Sequence, residues 1–542
     1  MVLAVAAGLA LADASIVTLA LPRLLTDLDA TVEGVAAVIG VYTVVLAIAL
    51  LPAERLRAST GTRSLGAGGL ILFALACVGC AAAGSLELLL ALRAVQAIGA
   101  AAALVAAFDL LDAGAPGGAG RRLWTSAAVI GFATGPALGG LLTQLFDWRA
   151  IFVAQIPLAL AGAAACLLRR RHPTEAPSAT ADRLPRGPLI ALALLSAALT
   201  AVLFLLVLLL VAGWNEEPLA AAAAVSVLPL AALATRDAQG NPRMLAATGC
   251  VLVAAGTLCL ATLPLASLWW TIVPQLLAGA GMGLALPRLA GELLPERDSR
   301  EAARLLAARH AGIALALLAL APVVASQLDS ATERAKERGV AIVLDSPLPP
   351  QEKLKLAPDL LNGVSESEPR RGLQRAIDRR RAGFQGGQRS AYDRLAQRAD
   401  DTLTEAVGDS FRLAFVIAAA LALLAAVAVL PSPARRRSLA RVAAAAAAVP
   451  LAYLLLGGAL APDTVKIANP CKDRPLPQAS GVPGVVQDAA LTSLDQIACH
   501  FGSSREQLVL ALADPNEARR YKRSYGVDPR SAGNLLEGLI GG

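Results

Sequence analysis

Apolar runs of about twenty residues, long enough to cross a hydrocarbon core of roughly 30 Å as helices, recur thirteen times in this chain. They fall at approximately residues 2–22, 34–53, 64–84, 86–111, 123–146, 150–168, 188–213, 217–235, 244–264, 267–290, 303–326, 411–431 and 440–461. With 56% hydrophobic and 16% charged residues among 542, and a mean hydropathy of +0.60, the composition excludes a water-soluble globular domain. The first run holds "ALADAS", which contains an Ala-x-Ala-like cleavage site. It lacks the positively charged stretch that precedes a signal-peptide core, so we read it as the first membrane helix.

A net charge of +7 suggests an acidic partner only until the arginines are located. With the N-terminus cytoplasmic, the inner loops carry "ERLRASTGTR", "GRR", "RRRHPTEAPSATADRLPR", "TRDAQGNPR", "PERDSREAAR" and "PSPARRRSLAR". The outer loops carry "RLLTDLDATVEG", "GSLE", "FDWRA", "WNEE" and "LPLAS", with Arg23 and Arg149 their only basic residues. The positive-inside rule then places thirteen helices in a plasma membrane, N-terminus cytoplasmic and C-terminus extracytoplasmic. "FGSSREQLVLAL" followed by "RRYKR" imitates a helix-turn-helix with a basic patch, but this topology puts it across the membrane from DNA, so no nucleic-acid partner is expected.

The runs group as six, a linker, and six more, with additions. We expect an N-terminal six-helix bundle over 1–168, a cytoplasmic linker over 169–187, and helices seven to eleven of a C-terminal bundle over 188–326. An insert over 327–410 follows, then helix twelve over 411–431, a loop with a thirteenth helix over 432–461, and a tail over 462–542. The insert has helical spacing in "GLQRAIDRRRAGF" and "SAYDRLAQRADDTLTEAVGDSF"; it reads as an extracytoplasmic cap continuous with helix twelve, or as a largely disordered loop. In the tail, "SSRE" at 503–506 reads as a capping box, and "DPNE" at 514–517 places Asp at an N-cap with Pro behind it. Cys471 and Cys499, the only cysteines of the tail, are candidates for a disulfide in an oxidising compartment. Cys77, Cys80, Cys166, Cys250 and Cys259 lie in apolar helices and read as small buried hydrophobes.

Four stretches carry a family likeness. The first helix has "LADASIVTLALP", similar to L-D-x-T-I-V-N-x-A-L-P, and the fourth has "LRAVQAIGAA", similar to R-x-x-Q-G-x-G-A-A. The fifth has Gly131, Gly135, Pro136, Gly139 and Gly140, matching every fixed position of G-x-x-x-G-P-x-x-G-G. The sixth opens "WRAIFVAQIPL", close to W-R-x-I-F-x-I-N-x-P with Gln155 where the pattern has Asn. In this order the motifs resemble the major facilitator superfamily, and within it the second drug:proton antiporter family. The likeness runs through helices one to twelve and leaves out the insert and the tail. It implies an all-α membrane protein with a twelve-helix, two-bundle fold, here with one extra C-terminal transmembrane helix and a small helical extracytoplasmic tail.

One stretch departs from the pattern. Where the superfamily has G-x-L-A-D-R-x-G-R-R after helix two, this chain has "ERLRASTGTR": Gly61 and Arg63 survive, Glu54 replaces the first Gly and Ala58 replaces the Asp. The resemblance makes that Asp part of a cytoplasmic latch between the halves, so the latch is weakened or rebuilt. "TRDAQGNPR" holds a second-half vestige in Asp237, Gly240 and Arg243, which is expected to supply part of the gate.

An ionisable side chain in mid-membrane costs roughly 2.5–3.5 kcal/mol on insertion scales and marks a pathway or a proton relay. At about 1.5 Å per residue, Asp13 lies roughly 16 Å from the inner edge of helix one and Arg93 roughly 13 Å from the outer edge of helix four, so their depths nearly coincide. Two readings stay open. Either Asp13 gains and loses a proton, with Arg93 favouring the carboxylate when close, or the two form a permanent ion pair that fixes packing. Ser15, Thr18, Gln96 and Gln275 are candidates for a substrate cavity, or for bonds to neighbouring helices. His310, beside Arg309, reads as lying near the cytoplasmic end and open to water. Asp109 and Asp112 are expected to pair with Arg121, Arg122 or solvent, and Trp269 and Trp270 to anchor helix ten at the interface.

No H-E-x-x-H, G-x-x-x-x-G-K-[ST] or paired Cys-x-x-Cys occurs, so neither a metal site nor nucleotide hydrolysis has a motif and an enzyme is not expected. With no cofactor expected, the proton gradient is the energy source. The expectation is a proton-coupled antiporter exporting a small amphiphilic or lipid-like molecule, its partners that molecule, protons and the bilayer. Aromatic residues make up only 4%, poor material for an aromatic pocket that would take many cations. The alternative is a transporter-like scaffold that does not transport, whose residues 327–410 and 462–542 bind a cell-envelope protein.

Overall fold

The computed structural model describes residues 1–113, 119–169, 185–293, 299–353, 355–356, 369–430, 433–460, 465–472, 482–531 and 533–535. Most of the expected linker lies outside them. Among the described residues every regular element is a helix, as expected of a chain whose backbone groups must be satisfied internally in lipid.

The first half comprises α1 (Val2–Thr18) with α2 (Leu21–Asp27), then α3 (Val32–Thr60), α4 (Thr62–Ala82), α5 (Leu86–Ala113), α6 (Ala119–Leu145) and α7 (Arg149–Leu168). α1 and α2 are two pieces of one span bent by 57°. Local chemistry sets the ends: Thr31 caps α3 by accepting from the Gly34 amide at 3.1 Å, and Gly61 ends it at φ 79°, a conformation that favours glycine. The second half comprises α8 (Arg186–Val207) with a π-helical continuation over Leu208–Gly213, and α9 (Pro218–Val225) with α10 (Val227–Thr235) as one span. α11 (Pro242–Ala261), α12 (Leu268–Leu293) and α13 (Ser299–Leu344) follow. After α14 (Pro369–Arg381) come α15 (Gly386–Val429) and α16 (Pro433–Leu460); among the described residues eleven spans are long and apolar enough to cross a membrane, or twelve with the bent pair, against the thirteen expected, α6 not being among them. The tail holds α17 (Val482–His500), α18 (Arg505–Ala513) and α19 (Pro515–Tyr525).

The chain divides into two compact units, one of which is the membrane bundle: residues 1–212, 216–326 and 411–460. Glycine lets its helices touch backbone to backbone, the packing that lipid-embedded helices need in place of a hydrophobic drive. A Cβ on Gly99 would lie 2.7 Å from the Phe73 amide nitrogen, and one on Gly69 would lie 2.8 Å from the Gly99 carbonyl, so α4 and α5 interlock. Gly249 and Gly281 join α11 to α12 in the same way, repeating the device in the second half. α16 is fastened to the bundle by its Tyr453, whose hydroxyl donates to the Trp270 carbonyl at 3.1 Å while the two rings meet edge to face at 5.7 Å. Trp270 is thus a packing residue, whereas Trp269 is exposed as an interface anchor should be.

The second unit comprises residues 213–215, 327–410 and 461–542, so insert and tail fold together. The insert is continuous with helix twelve, as expected, and equally with helix eleven, because α13 runs on to Leu344. The tail's core gathers Ile497, Ala498, Leu508, Ala511 and Tyr521. Arg505, fully buried, donates to Asp345 at 2.7 Å, and Gln507 donates to Glu337 at 2.9 Å, tying the tail to the insert. Cys471 and Cys499 form a disulfide closing a separation of 28 residues. The capping box opening α18 sits one residue later than expected: Ser504 and Gln507 exchange the two bonds, because Ser503 instead shares a hydrogen bond with the Tyr521 hydroxyl at 2.7 Å. Asp514 caps α19, accepting from Asn516 at 2.7 Å. Reducing the disulfide is expected to lower the stability of this unit by about 3–4 kcal/mol, the loop-closure value for a loop of this size; melting with and without reductant measures it.

Candidate functional site

Asp13 on α1 and Arg93 on α5 meet in the first half, Nη1 to Oδ2 at 2.6 Å, both with no exposed surface. Three further helices close around them. Gln155 of α7 donates its amide to Asp13 Oδ1 at 3.1 Å, and Gln96 of α5 donates to the same oxygen at 3.3 Å. Gln96 Oε1 in turn accepts from Arg93 Nη1 at 2.6 Å, and its amide lies 3.1 Å from the Cys77 sulfur of α4. Arg93 Nε donates to the Val38 carbonyl of α3 at 3.1 Å, and the guanidinium lies over the Tyr42 ring at 4.3 Å from its centroid. Tyr42 is held by its own donation to the Ala10 carbonyl at 2.8 Å.

Two amide donors and one guanidinium surround the carboxylate, so its charge is compensated without water. The compensation stops short of complete: Arg93 Nη2 and Gln155 Oε1 are buried without a hydrogen-bond partner.

The other cavity candidates divide. Gln96 belongs to the ion-pair cluster. Ser15 and Thr18 bond to carbonyls of their own helix, Ala12 and Ala14, each at 2.7 Å, and Ser15 packs against Gly135, so both serve packing. Gln275 is fully buried on α12; it donates to Thr271 at 3.0 Å and its Oε1 has no partner.

The fifth-helix motif lies along α1. A Cβ on Gly131 would meet the Gly8 carbonyl, one on Gly135 the Ser15 hydroxyl, and one on Gly139 the Ile16 carbonyl, while Gly140 faces Ala222 and the Pro218 carbonyl of α9 across the two halves. Pro136 sits within α6, where it removes one helical hydrogen bond. Spacing of four residues puts three glycines on one face, and the structure places α1 there.

At the end carrying the basic loops, the arrangement departs from expectation. Asp237 is exposed and pairs with adjacent Arg236 at 3.1 Å, Gly240 is exposed, and Arg243 lies at the start of α11. Arg63 donates to the Cys166 carbonyl at 3.3 Å within the first half. Asp109 pairs with Arg57 of α3, which is within reach because α3 stays helical down to Thr60; the side chains of Arg121 and Arg122, its expected partners, lie outside the described residues. Asp112 is buried one turn on. Arg57 also reaches Glu54 at 3.4 Å, and Glu54 accepts from the Ser299 hydroxyl at 3.4 Å. Glu54, Arg57 and Ser299 are all buried, and Ser299 opens α13 of the second half. A carboxylate at the N-terminus of α13 is favoured by the helix dipole as well as by the hydroxyl.

His310 is corrected too. α13 starts at Ser299, so His310 stands about 16 Å along the helix, near mid-depth rather than near an end. It is 2% exposed, with Nδ1 2.8 Å from the Leu306 carbonyl.

The family model described as Major Facilitator Superfamily matches residues 3–316. The chain belongs to the major facilitator superfamily. Its relatives in that superfamily include Multidrug resistance protein Stp of Mycobacterium tuberculosis, 34% identical over 27% of this chain and 28% of that protein. Methylenomycin A resistance protein of Streptomyces coelicolor is 31% identical over 44% of this chain and 51% of its own length. Tetracenomycin C resistance and export protein of Streptomyces glaucescens is 29% identical over 47% and 48%. The chain thus spans about half or less of the length of these relatives. Among solved structures, a bacterial homolog to the human lysosomal transporter Spinster, inward-facing and unoccupied, aligns with a TM-score of 0.52 at 14% identity over 80% of this chain and 98% of that one. That likeness carries the fold. This superfamily chain, like the relatives named, belongs with transporters rather than enzymes.

Sequence reasoning noted Gln155 only as a departure from a motif; an amide in an apolar run was the signal that it would serve a buried charge. Tyr42 gave no signal at all. Glu54 and Arg57 did, as an i, i+3 pair of opposite charge at a helix end.

Proposed function

We propose that this chain is a proton-coupled secondary transporter of the cell membrane that exports a small amphiphilic or lipid-like molecule in exchange for protons by alternating access, its N-terminus cytoplasmic and its C-terminus extracytoplasmic. The observation that carries the proposal is the Asp13 cluster: a carboxylate with no exposed surface, held by Arg93, Gln96 and Gln155. A merely structural tie between α1 and α5 needs no charge, because apolar packing in lipid does the same at lower cost. Carriage of a proton gives the charge a purpose. The resistance and export functions named for the relatives agree with outward transport.

In this reading the glycine face of α6 lets α1 slide closely past it, and Glu54, Arg57 and Ser299 form the rebuilt cytoplasmic latch. Glu54→Gln is expected to weaken the latch by about 1 kcal/mol, several-fold in the open-to-closed ratio. Spin labels placed at the exposed Thr60 and Gly291 read the change as a wider distance distribution. An unchanged distribution removes Glu54 from the gate.

A folded, disulfide-bonded second unit built from insert and tail favours a second reading, a scaffold that docks an envelope protein and does not transport. Vesicles separate the two. Export of a labelled amphiphile against its gradient, abolished by a protonophore, supports the antiporter. A wild type that accumulates no substrate under any proton gradient, yet retains a partner through residues 462–542, supports the scaffold.

A further inference from the structure

Arg309 is a mid-depth charge that the Asp13 cluster does not account for. It stands about 15 Å along α13 from Ser299, and Tyr42 stands about 15 Å along α3 from the opposite end of the bundle, so in a core of roughly 30 Å the two share a depth. Arg309 interacts electrostatically with Tyr42, the residue whose ring carries Arg93 at 4.3 Å. Two guanidiniums, one from each half of the bundle, thus act electrostatically on one tyrosine. The Asp13 carboxylate is already engaged by Arg93.

What holds Arg309 leaves its charge intact. Its partner is the ring of His310, Nη1 to Nε2 at 3.4 Å, while His310 Nδ1 faces the Leu306 carbonyl at 2.8 Å. With Nδ1–H donating to that carbonyl, Nε2 keeps a lone pair for Arg309, so a neutral imidazole steadies the guanidinium without neutralising it. The remaining N–H groups of Arg309 find no acceptor among the described residues. The side chain is only partly buried, although Tyr42 and His310 beside it are almost wholly so.

A guanidinium fork with free donors in a low-dielectric surround matches the paired oxygens of a carboxylate, sulfonate or phosphate. The unbalanced positive charge gives such an anion a favourable site and a cation an unfavourable one. We propose that Arg309 binds the anionic head of the exported amphiphile, making the substrate class acidic. This deepens the transport reading above and rests on it. The low aromatic content agrees, since cations are taken by aromatic faces that this chain largely lacks.

The test uses the full chain in phosphatidylcholine nanodiscs with three probes of equal tail: octylsulfonate, octanol and octyltrimethylammonium. Wild type is expected to bind the sulfonate most tightly. Arg309→Gln should weaken the sulfonate by about tenfold or more and leave octanol unchanged. Arg309→Lys, which keeps the charge but not the fork, should fall between, and it reads the site should the Gln variant not fold. Equal sulfonate affinity in wild type and Arg309→Gln, or a preference for the ammonium probe, overturns the proposal. Repeating the titration with phosphatidylglycerol in the nanodisc identifies the source: competition makes the anion a lipid headgroup, and no competition makes it a free amphiphile, either one upholding the site. The transport reading stands or falls separately. Arg309-dependent sulfonate binding without proton movement keeps the site and removes the antiporter; proton movement driven by the ammonium probe does the reverse.

Discussion

Gly139→Ala is expected to prevent α6 from seating on α1. The added methyl would fall on the Ile16 carbonyl, with the Ile16 carbonyl carbon at 3.1 Å and its Cα at 3.3 Å, and this is backbone that no rotamer change can move. Forcing extra atoms into a packed contact costs typically 1–3 kcal/mol, and with main chain on the receiving side we place the effect at about 3 kcal/mol. Gly135→Ala should cost less. Its new methyl falls chiefly on the Ser15 hydroxyl, which can turn away at the loss of its bond to the Ala12 carbonyl, leaving Ser15 Cβ at 3.0 Å and the Ile16 amide nitrogen at 3.2 Å to give by a few tenths of an ångström. Ala137→Val, on the exposed face of the same helix, should be within about 0.5 kcal/mol of wild type. Thermal melting of the three variants tests the order; a Gly139→Ala protein as stable as Ala137→Val would mean that the close approach of α1 and α6 does not hold the bundle.

The second large effect concerns the buried pair. Arg93→Met leaves the Asp13 carboxylate among two amides with no cation and should destabilise the bundle by about 3–5 kcal/mol. Asp13→Asn leaves Arg93 with Gln96, the Val38 carbonyl and the Tyr42 face, a milder loss because those partners remain. The double variant Asp13→Asn with Arg93→Met removes both charges and should regain most of the stability lost in Arg93→Met, a coupling that a double-mutant cycle reads directly. Transport divides from stability here. If the pair serves packing alone, the double variant should transport like wild type; as a proton carrier, it should fold and yet fail to couple.

How much of this was legible follows from which signals are local. Membrane crossings read well because a run of about twenty apolar residues states its own length. The glycines of α6 read well because a spacing of four is a face. Asp13 and Arg93 could be matched by depth alone, since helix rise turns position into distance. The rest depended on where segments end and what stands opposite. His310 lies deeper than the apolar run suggests because α13 begins at Ser299, a turn before that run does, and one more turn of helix moves a residue by about 5.4 Å. The pairing of Asp109 with Arg57 was missed because a partner about fifty residues away leaves no periodic trace. The shifted capping box at Ser504 shows the same limit on a smaller scale: two serines in a row fit the pattern equally, and the Tyr521 hydroxyl decides between them.

The central claim is that Asp13 carries the coupled proton, and vesicles containing the full chain and a pH-sensitive dye inside test it most directly. Wild type should move protons when an exported amphiphile is added. Asp13→Asn should still exchange labelled substrate for unlabelled across the membrane while substrate-dependent proton movement disappears. Asp13→Asn vesicles that keep the wild-type ratio of protons to substrate would contradict the account.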